Sequence, residues 1–231
     1  MNHHVQGTVP GPGAAVVLDC DGLLVTTEKA WDLAYDAVFA QYGVALTQAD
    51  RDRLRGRDLT AVGRFLAERL RRPACASALA ARALGLMRSH VDEVIAPMPG
   101  AVELVAELTG ARPVAVASNA PADVVEAHLR RFFDLSDIVV IGGDMVAAPK
   151  PQPDVYLAAC AALASDPAGT WALEDSATGA AAAVAAGLCV IGVPHRAASG
   201  FPCHLSVGSL DDPRLREALL GEGGAGVPDA C

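Results

Sequence analysis

The sequence predicts an α/β fold: a Rossmann-like parallel sheet core with an inserted α-helical cap domain. Three observations predict it. Short apolar runs without polar alternation recur along the chain, as the strands of a parallel sheet covered on both faces require. Helical patterns separate these runs, as parallel crossovers need. The segment from Glu28 to Ile95 then breaks the alternation, with helical periodicity throughout and no convincing strand. A chain of 231 residues suits one core with an insertion. At 52% hydrophobic and 19% charged residues it can bury enough apolar surface to offset the ordering entropy of its backbone.

Residues 1–13 are polar, hold Gly and Pro without a period, and read as a flexible tail; order is expected from Ala14. Strands are expected at Ala14–Leu18, Pro113–Ala117, Ile138–Ile141, Trp171–Leu173 and Leu188–Ile191. Residues 14–27 and 96–231 form the core in this reading, and residues 28–95 the cap. Trp31, Ala34, Tyr35, Val38, Phe39 and Tyr42 recur at helical spacing and make one apolar face of the first cap helix. Thr47 to Asp50 has the capping-box pattern for the next. In the core, Pro121 and Pro153 sit where first helical turns begin, and Gly187 follows an Ala-rich helix as a C-cap does. The stretch Ala177 to Pro194 contains no charge, but its alanines and its glycines at 179, 187 and 192 describe a helix, a cap and a buried strand rather than a membrane span.

The net charge of -9 speaks against nucleic acid as a partner, because phosphate backbones are met by clustered Lys and Arg. The arginines between Arg51 and Arg72 alternate with acids and apolar residues at helical spacing, which describes a solvated helix face. Cys20, Cys75, Cys160, Cys189, Cys203 and Cys231 form no C-x-x-C pair, and no signal peptide precedes the first strand. A cytoplasmic protein with free thiols, no membrane partner and a monomeric or weakly dimeric state is expected.

Four short motifs follow expected strands, and in an open parallel sheet residues just past the strand C-termini converge on one crevice. Leu18-Asp19-Cys20-Asp21-Gly22 comes first: alternation turns Cys20 away and sets Asp19 and Asp21 on one side, while Gly22 allows a sharp turn. One carboxylate can attack and the other can act as acid and base. By themselves the two aspartates read more readily as loop caps on backbone amides. Ser118-Asn119, entering a helix, can make an anion site from a hydroxyl and free N–H groups, or be a plain cap. Lys150-Pro151-Gln152-Pro153 holds a cation in a proline-stiffened turn with no acid beside it in sequence; a surface lysine before a helix has the same pattern. Leu173-Glu174-Asp175-Ser176-Ala177-Thr178-Gly179 ends an apolar strand with paired carboxylates, which a hard divalent metal or an exposed acidic N-cap would explain.

Together, in this order, D-x-D-G, S-N, K-P-x-P and E-D-S-x-x-G resemble the haloacid dehalogenase superfamily, in the branch whose helical cap follows strand one. The resemblance runs from about Val16 to Val193, and Pro97-Met98-Pro99-Gly100 and Pro153-Asp154-Val155-Tyr156 share its wording. It implies a phosphatase with Asp19 as nucleophile and Asp21 as acid and base. Asp19, the backbone carbonyl of Asp21 and Asp175 would hold Mg²⁺, with Glu174 assisting, and Ser118 and Lys150 would bind the transferring phosphoryl group. Such help is needed, since a carboxylate about 3.5 Å from a phosphate dianion meets a repulsion on the order of 9 kcal/mol at an effective dielectric near 20.

Candidate substrate-binding residues are Gly22, Asn119, Trp31 and Arg57, with Tyr35 and the rest of the Arg55-Gly56-Arg57 turn beside them; Trp31 also fits a core position of the cap. Glu28-Lys29-Ala30-Trp31 resembles the first cap helix of sugar-phosphate phosphatases, so the partner expected is a small phosphorylated metabolite such as a sugar or polyol phosphate. Two alternatives stand beside it: a β-phosphoglucomutase-like isomerase, which shares every core motif, and a non-catalytic regulatory protein of the same fold, which would require the loss of a motif, whereas all four are intact. The mutases place a histidine where Trp31 stands. None of the histidines (His3, His4, His90, His128, His195, His204) falls in that helix, and a tail, a surface or a helix end explains each. Thr26 occupies a position where family members often carry aspartate, a departure that bears on the hinge and leaves the four motifs intact.

Overall fold

The computed structural model describes residues 10–11, 13–194 and 201–221. Most of the expected tail, with His3 and His4, lies outside the described residues, as do His195, Cys231 and the side chain of His90. The first strand, β1 (Val16–Leu18), is followed by α1 (Glu28–Ala40), α2 (Gln48–Leu54), α3 (Leu59–Arg69) and α4 (Ala76–Val94). The chain continues through α5 (Ala101–Thr109), β2 (Val114–Ala117), α6 (Ala122–Leu129), β3 (Ile138–Ile141), α7 (Asp154–Ala162), β4 (Trp171–Glu174) and α8 (Ala177–Ala185). It ends on β5 (Cys189–Gly192), β6 (Leu205–Ser206) and α9 (Pro213–Leu220). The last two elements have no expectation behind them: Leu205–Ser206 is too short to carry a period.

Among the described residues all strand pairs are parallel, in a six-stranded sheet of order β3-β2-β1-β4-β5-β6. The order runs outward one way from β1 through β2 and the other way through β4, so the switch point lies at β1 and β4, where ligands bind beyond the strand ends. Side chains alternate between faces. Val16 and Leu18 join Val114 and Val116 in the cluster packed under α5, α6 and α9, while Val17 joins Ala115 and Ala172 against α7 and α8. Both faces are covered, which is why the strands read as unbroken apolar runs.

Helices α1 to α4 enclose a cluster of their own around Val38, Phe39, Val62 and Leu66, while Ala30, Ala34 and Met87 pack into the sheet cluster. At the entry and exit of this insertion, Thr26 donates its N–H to the Ala96 carbonyl at 2.8 Å and accepts the Ala96 N–H on Oγ1 at 3.1 Å. The hydroxyl thus staples the two linkers together. The arginines of α2 are less solvated than the sequence suggests. Arg51 bridges to Asp32 at 3.2 Å and Asp36 at 2.6 Å, and Arg55 to Glu28 at 3.2 Å, bracing α2 on α1. Cys20, Cys75, Cys160, Cys189 and Cys203 are free thiols. Among the described residues no helix is long and apolar enough to cross a membrane.

The capping box on α2 forms: Asp50 N–H meets Thr47 Oγ1 at 3.2 Å and Thr47 N–H meets Asp50 Oδ2 at 3.0 Å. Arg69 of α3 adds a fork to the same carboxylate at 3.0 and 2.9 Å. The Arg69 fork, then the Thr47 N–H, hold the Asp50 carboxyl well below the usual carboxylate range. A depressed folded value means the contribution is complete above the ordinary carboxylate pKa and is lost as pH falls below it. Asp50→Asn is therefore expected to cost about 1–2 kcal/mol at pH 7. The gap from wild type should narrow below about pH 4 in urea unfolding at successive pH values.

Candidate active site

The site is built where β1 and β4 end side by side. Leu18 lies level with Leu173. Asp19 donates its N–H to the Leu173 carbonyl at 3.0 Å, extending the ladder one residue, so the next side chains, Asp19 and Glu174, emerge as neighbours. Cys20 turns into the sheet cluster, as alternation requires. Gly22 takes φ +90°, and a Cβ there would collide with the Asp175 carboxylate.

Lys150 reaches this point from beyond β3. Its Nζ donates to Asp19 Oδ1 at 2.5 Å, to Glu174 Oε1 at 2.7 Å and to the Ala117 carbonyl at 2.9 Å, which uses all three of its protons. The acids missing from its sequence neighbourhood are supplied by two strands. Tyr156 of α7 completes the cluster: its hydroxyl donates to Glu174 Oε1 at 2.5 Å, and its ring lies 4.9 Å from Lys150 Nζ. Sequence reasoning did not select Tyr156 as a site residue. Its only signal was the Pro153-Asp154-Val155-Tyr156 wording, because at an apolar helix position a tyrosine reads as core.

Glu174 was expected to assist Asp175 at the metal, and its carboxylate, which lies together with those of Asp19 and Asp175, is also tied into the protein. It is fully buried, with Oε1 taken by Lys150 and Tyr156 and Oε2 accepting the Ser176 hydroxyl at 3.1 Å. Gly179 makes this possible, since a Cβ there would coincide with the Glu174 carboxylate. Ser118 was expected on a helix N-terminus, but α6 begins only at Ala122, with Pro121 as its N-cap. The Ala122 N–H is already spent on Asp144 at 2.9 Å. The Ser118 hydroxyl instead donates to Asp21 Oδ2 at 3.0 Å and accepts the Ala120 N–H at 3.0 Å. Asn119, expected to touch substrate, is bonded to main chain: Oδ1 accepts the Lys150 N–H at 2.8 Å and Nδ2 donates to the Gly56 carbonyl at 3.0 Å.

Asp19, Asp21, Ser118, Asn119, Lys150 and Asp175 floor a cavity of about 330 Å³. Trp31, Tyr35, Leu54, Arg55 and Arg57 roof it from the insertion, and Pro194 and Phe201 close one side. Trp31 stacks on Tyr35 with ring centroids 5.5 Å apart, so it serves both the cap core and the cavity wall. Asp19, Asp21, Ser118, Lys150 and Asp175 therefore meet at one place, with Gly22, Trp31, Arg57 and Asn119 on the same cavity.

The electrostatics are lopsided. Burial, then the charge of Glu174, raise the Asp19 carboxyl well above its ordinary value; the same two causes push Asp175 up to about 8. Burial works against the Lys150 ammonium, but Asp19 and Glu174 outweigh it and hold its value well above normal. Asp19, Asp21, Glu174 and Asp175 face a single lysine. Oxygens of Asp19, Glu174 and Asp175 lie within 4.8 Å of one another, and Asp21 Oδ1 is buried with no hydrogen-bond partner among the described residues. An all-oxygen donor set with excess negative charge fits a hard divalent cation.

Residues 14–187 match the family model described as haloacid dehalogenase-like hydrolase. The chain belongs to this family. CbbY from Cereibacter sphaeroides is 35% identical over 193 residues, covering 77% of this chain and 83% of CbbY. The crystal structure of CbbY from Rhodobacter sphaeroides in complex with xylulose-(1,5)bisphosphate superposes with a TM-score of 0.70 at 29% identity, covering 86% of this chain and 95% of that one. A β-phosphoglucomutase from Clostridium difficile reaches a TM-score of 0.77 at 17% identity over 89% of this chain and 96% of its own, a likeness of fold alone. The bifunctional riboflavin kinase/FMN phosphatase of Arabidopsis thaliana is 28% identical over 78% of this chain, which spans about half of that protein (48%).

In this haloacid dehalogenase-like phosphatase the Glu174 carboxylate is held by contacts of unequal cost. Tyr156→Phe removes one donor of several and is expected to destabilise by about 1–2 kcal/mol. Gly179→Ala places a methyl group on the carboxylate itself and should cost more, about 2–3 kcal/mol. Urea unfolding of the two variants at pH 7 checks the order.

Proposed function

We propose that the enzyme is a Mg²⁺-dependent phosphomonoester hydrolase that acts on a small sugar or polyol phosphate through an aspartyl-phosphate on Asp19. The observation that carries the reading is the meeting of Asp19, Asp21, Lys150 and Asp175 on the floor of one cavity. Asp19 attacks phosphorus, and the bond to the leaving oxygen breaks as Asp21 gives that oxygen a proton. Asp21, now a carboxylate, takes a proton from the water that attacks the aspartyl-phosphate, and inorganic phosphate leaves with Asp19 regenerated. Lys150 offsets the charge of Asp19 and would meet the incoming phosphoryl oxygens, while Ser118 holds Asp21 Oδ2 in place and would bind the same oxygens.

Asp19, the Asp21 carbonyl and Asp175 would hold the metal, with Glu174 assisting beside them while it also holds Lys150. When bound, Mg²⁺ supplies charge that cancels the repulsion between nucleophile and phosphate dianion. The sugar bisphosphate bound by CbbY supports a sugar phosphate as substrate. Trp31 favours hydrolysis over the mutase reaction, because an indole donates only and offers no basic nitrogen to steer a second sugar hydroxyl. A cytoplasmic location accords with the free thiols.

Asp19→Asn, which preserves shape but not nucleophilicity, is expected to lower phosphate release from a panel of sugar, polyol and glycolate phosphates by at least about 10³-fold, with the circular dichroism spectrum unchanged. Appreciable turnover in that variant would rule the mechanism out. A chelator should abolish the activity and Mg²⁺ restore it, and phosphate formed in isotopically labelled water should carry the label. Interconversion of hexose 1- and 6-phosphates without phosphate release would establish the mutase instead.

A further inference from the structure

Asn119 stands next to Ser118, yet its side chain faces main chain on two sides. Oδ1 accepts the N–H of Lys150 at 2.8 Å, and Nδ2 donates to the carbonyl of Gly56 at 3.0 Å and to that of Lys150 at 3.4 Å. Gly56 is the φ +65° residue of the turn between α2 and α3, and the Arg57 N–H closes that turn on Leu54 at 3.3 Å. Arg55 and Arg57, on either side of Gly56, line the cavity. One amide group therefore grips both the peptide that carries the cavity's ammonium and the cap turn that carries its arginines. The exposed ion pair Arg88–Asp123, at 2.6 Å, also ties insertion to core, but from α4 and away from the turn residues.

We propose that Asn119 is a positioning residue that couples closure of the Arg55-Gly56-Arg57 turn to the placement of Lys150, and so makes recognition of the leaving group part of assembling the site. The inference rests on the hydrolase reading for the role of Lys150, whereas the tie itself is geometric. Because the acceptor at Gly56 is a carbonyl, the latch does not depend on the side chain at that position. Only a side chain that accepts on one atom and donates from another can serve both partners, and Asn does this at a length that fits.

Two variants dissect the tie. Asn119→Asp keeps an oxygen for the Lys150 N–H and loses the donor to Gly56; Asn119→Ala loses both. Hydrogen exchange of residues 54–61, followed by mass spectrometry without substrate, is expected to accelerate about two- to tenfold in both variants, the range one net hydrogen bond gives. Kinetics on a hexose phosphate and on acetyl phosphate, whose leaving group is too small to reach the turn, form the second readout. KM for the hexose phosphate should rise about two- to tenfold more than KM for acetyl phosphate. The charge added by Asp opposes both phosphates alike, so the ratio isolates the turn. In Asn119→Ala, kcat should fall below that of Asn119→Asp, because Lys150 then loses its anchor. Unchanged exchange in both variants, or equal KM changes on the two substrates, would overturn the coupling. If neither substrate is hydrolysed by the wild type, the hydrolase reading fails while the exchange measurement still decides the tie.

Discussion

A buried ammonium shared between two buried carboxylates is the constraint on which the site depends. Removing each such ion from water costs several kcal/mol, and mutual attraction repays this only when the remaining protons and lone pairs are satisfied. Lys150 meets that condition with Asp19, Glu174 and the Ala117 carbonyl. Much of the local architecture follows from it. The β1–β4 register puts Asp19 and Glu174 side by side, Tyr156 and Ser176 occupy the other positions around Glu174, and Gly179 leaves the space that its carboxylate fills. A cluster this costly is better explained by the charge it presents to the cavity than by any stability it adds.

The neutralisation is incomplete. One lysine stands against Asp19, Asp21, Glu174 and Asp175, and burial, then the charge of Glu174, raise the Asp19 and Asp175 carboxyls above their ordinary values. Such a floor takes up positive charge readily, from a metal or from protons. The roof is arranged oppositely. Arg51 and Arg55 are paired with acids of α1 and α2, so the cap braces itself internally before it meets a substrate. Its hinge is closed by Thr26, whose hydroxyl accepts the Ala96 N–H and so does work that a residue without a hydrogen-bonding side chain could not.

Much of the site was legible because its chemistry lies immediately past strands that the apolar runs reveal. Asp19, Ser118 and Asp175 could be placed on one edge from period and order alone, and Lys150 could be placed beside them. Tyr156, the true commitment of Asn119 and the inward role of Glu174 were not legible. Each depends on partners brought from distant segments, and a residue type does not state which of its hydrogen bonds will be made. The short β6 was invisible for a related reason: a two-residue strand exists because β5 offers it an edge, not because its own residues favour it.

By itself, then, the sequence determined the alternation of strands and helices, the helical insertion after the first strand, the crevice edge and the family, since all of these are written in local period and in motif spacing. Only the tertiary structure decided that Glu174 secures Lys150, that Ser118 precedes a helix instead of capping it, and that Asn119 binds the cap turn. Those outcomes are settled by which donors and acceptors burial leaves without water, and that competition is resolved in space, between residues the chain holds far apart.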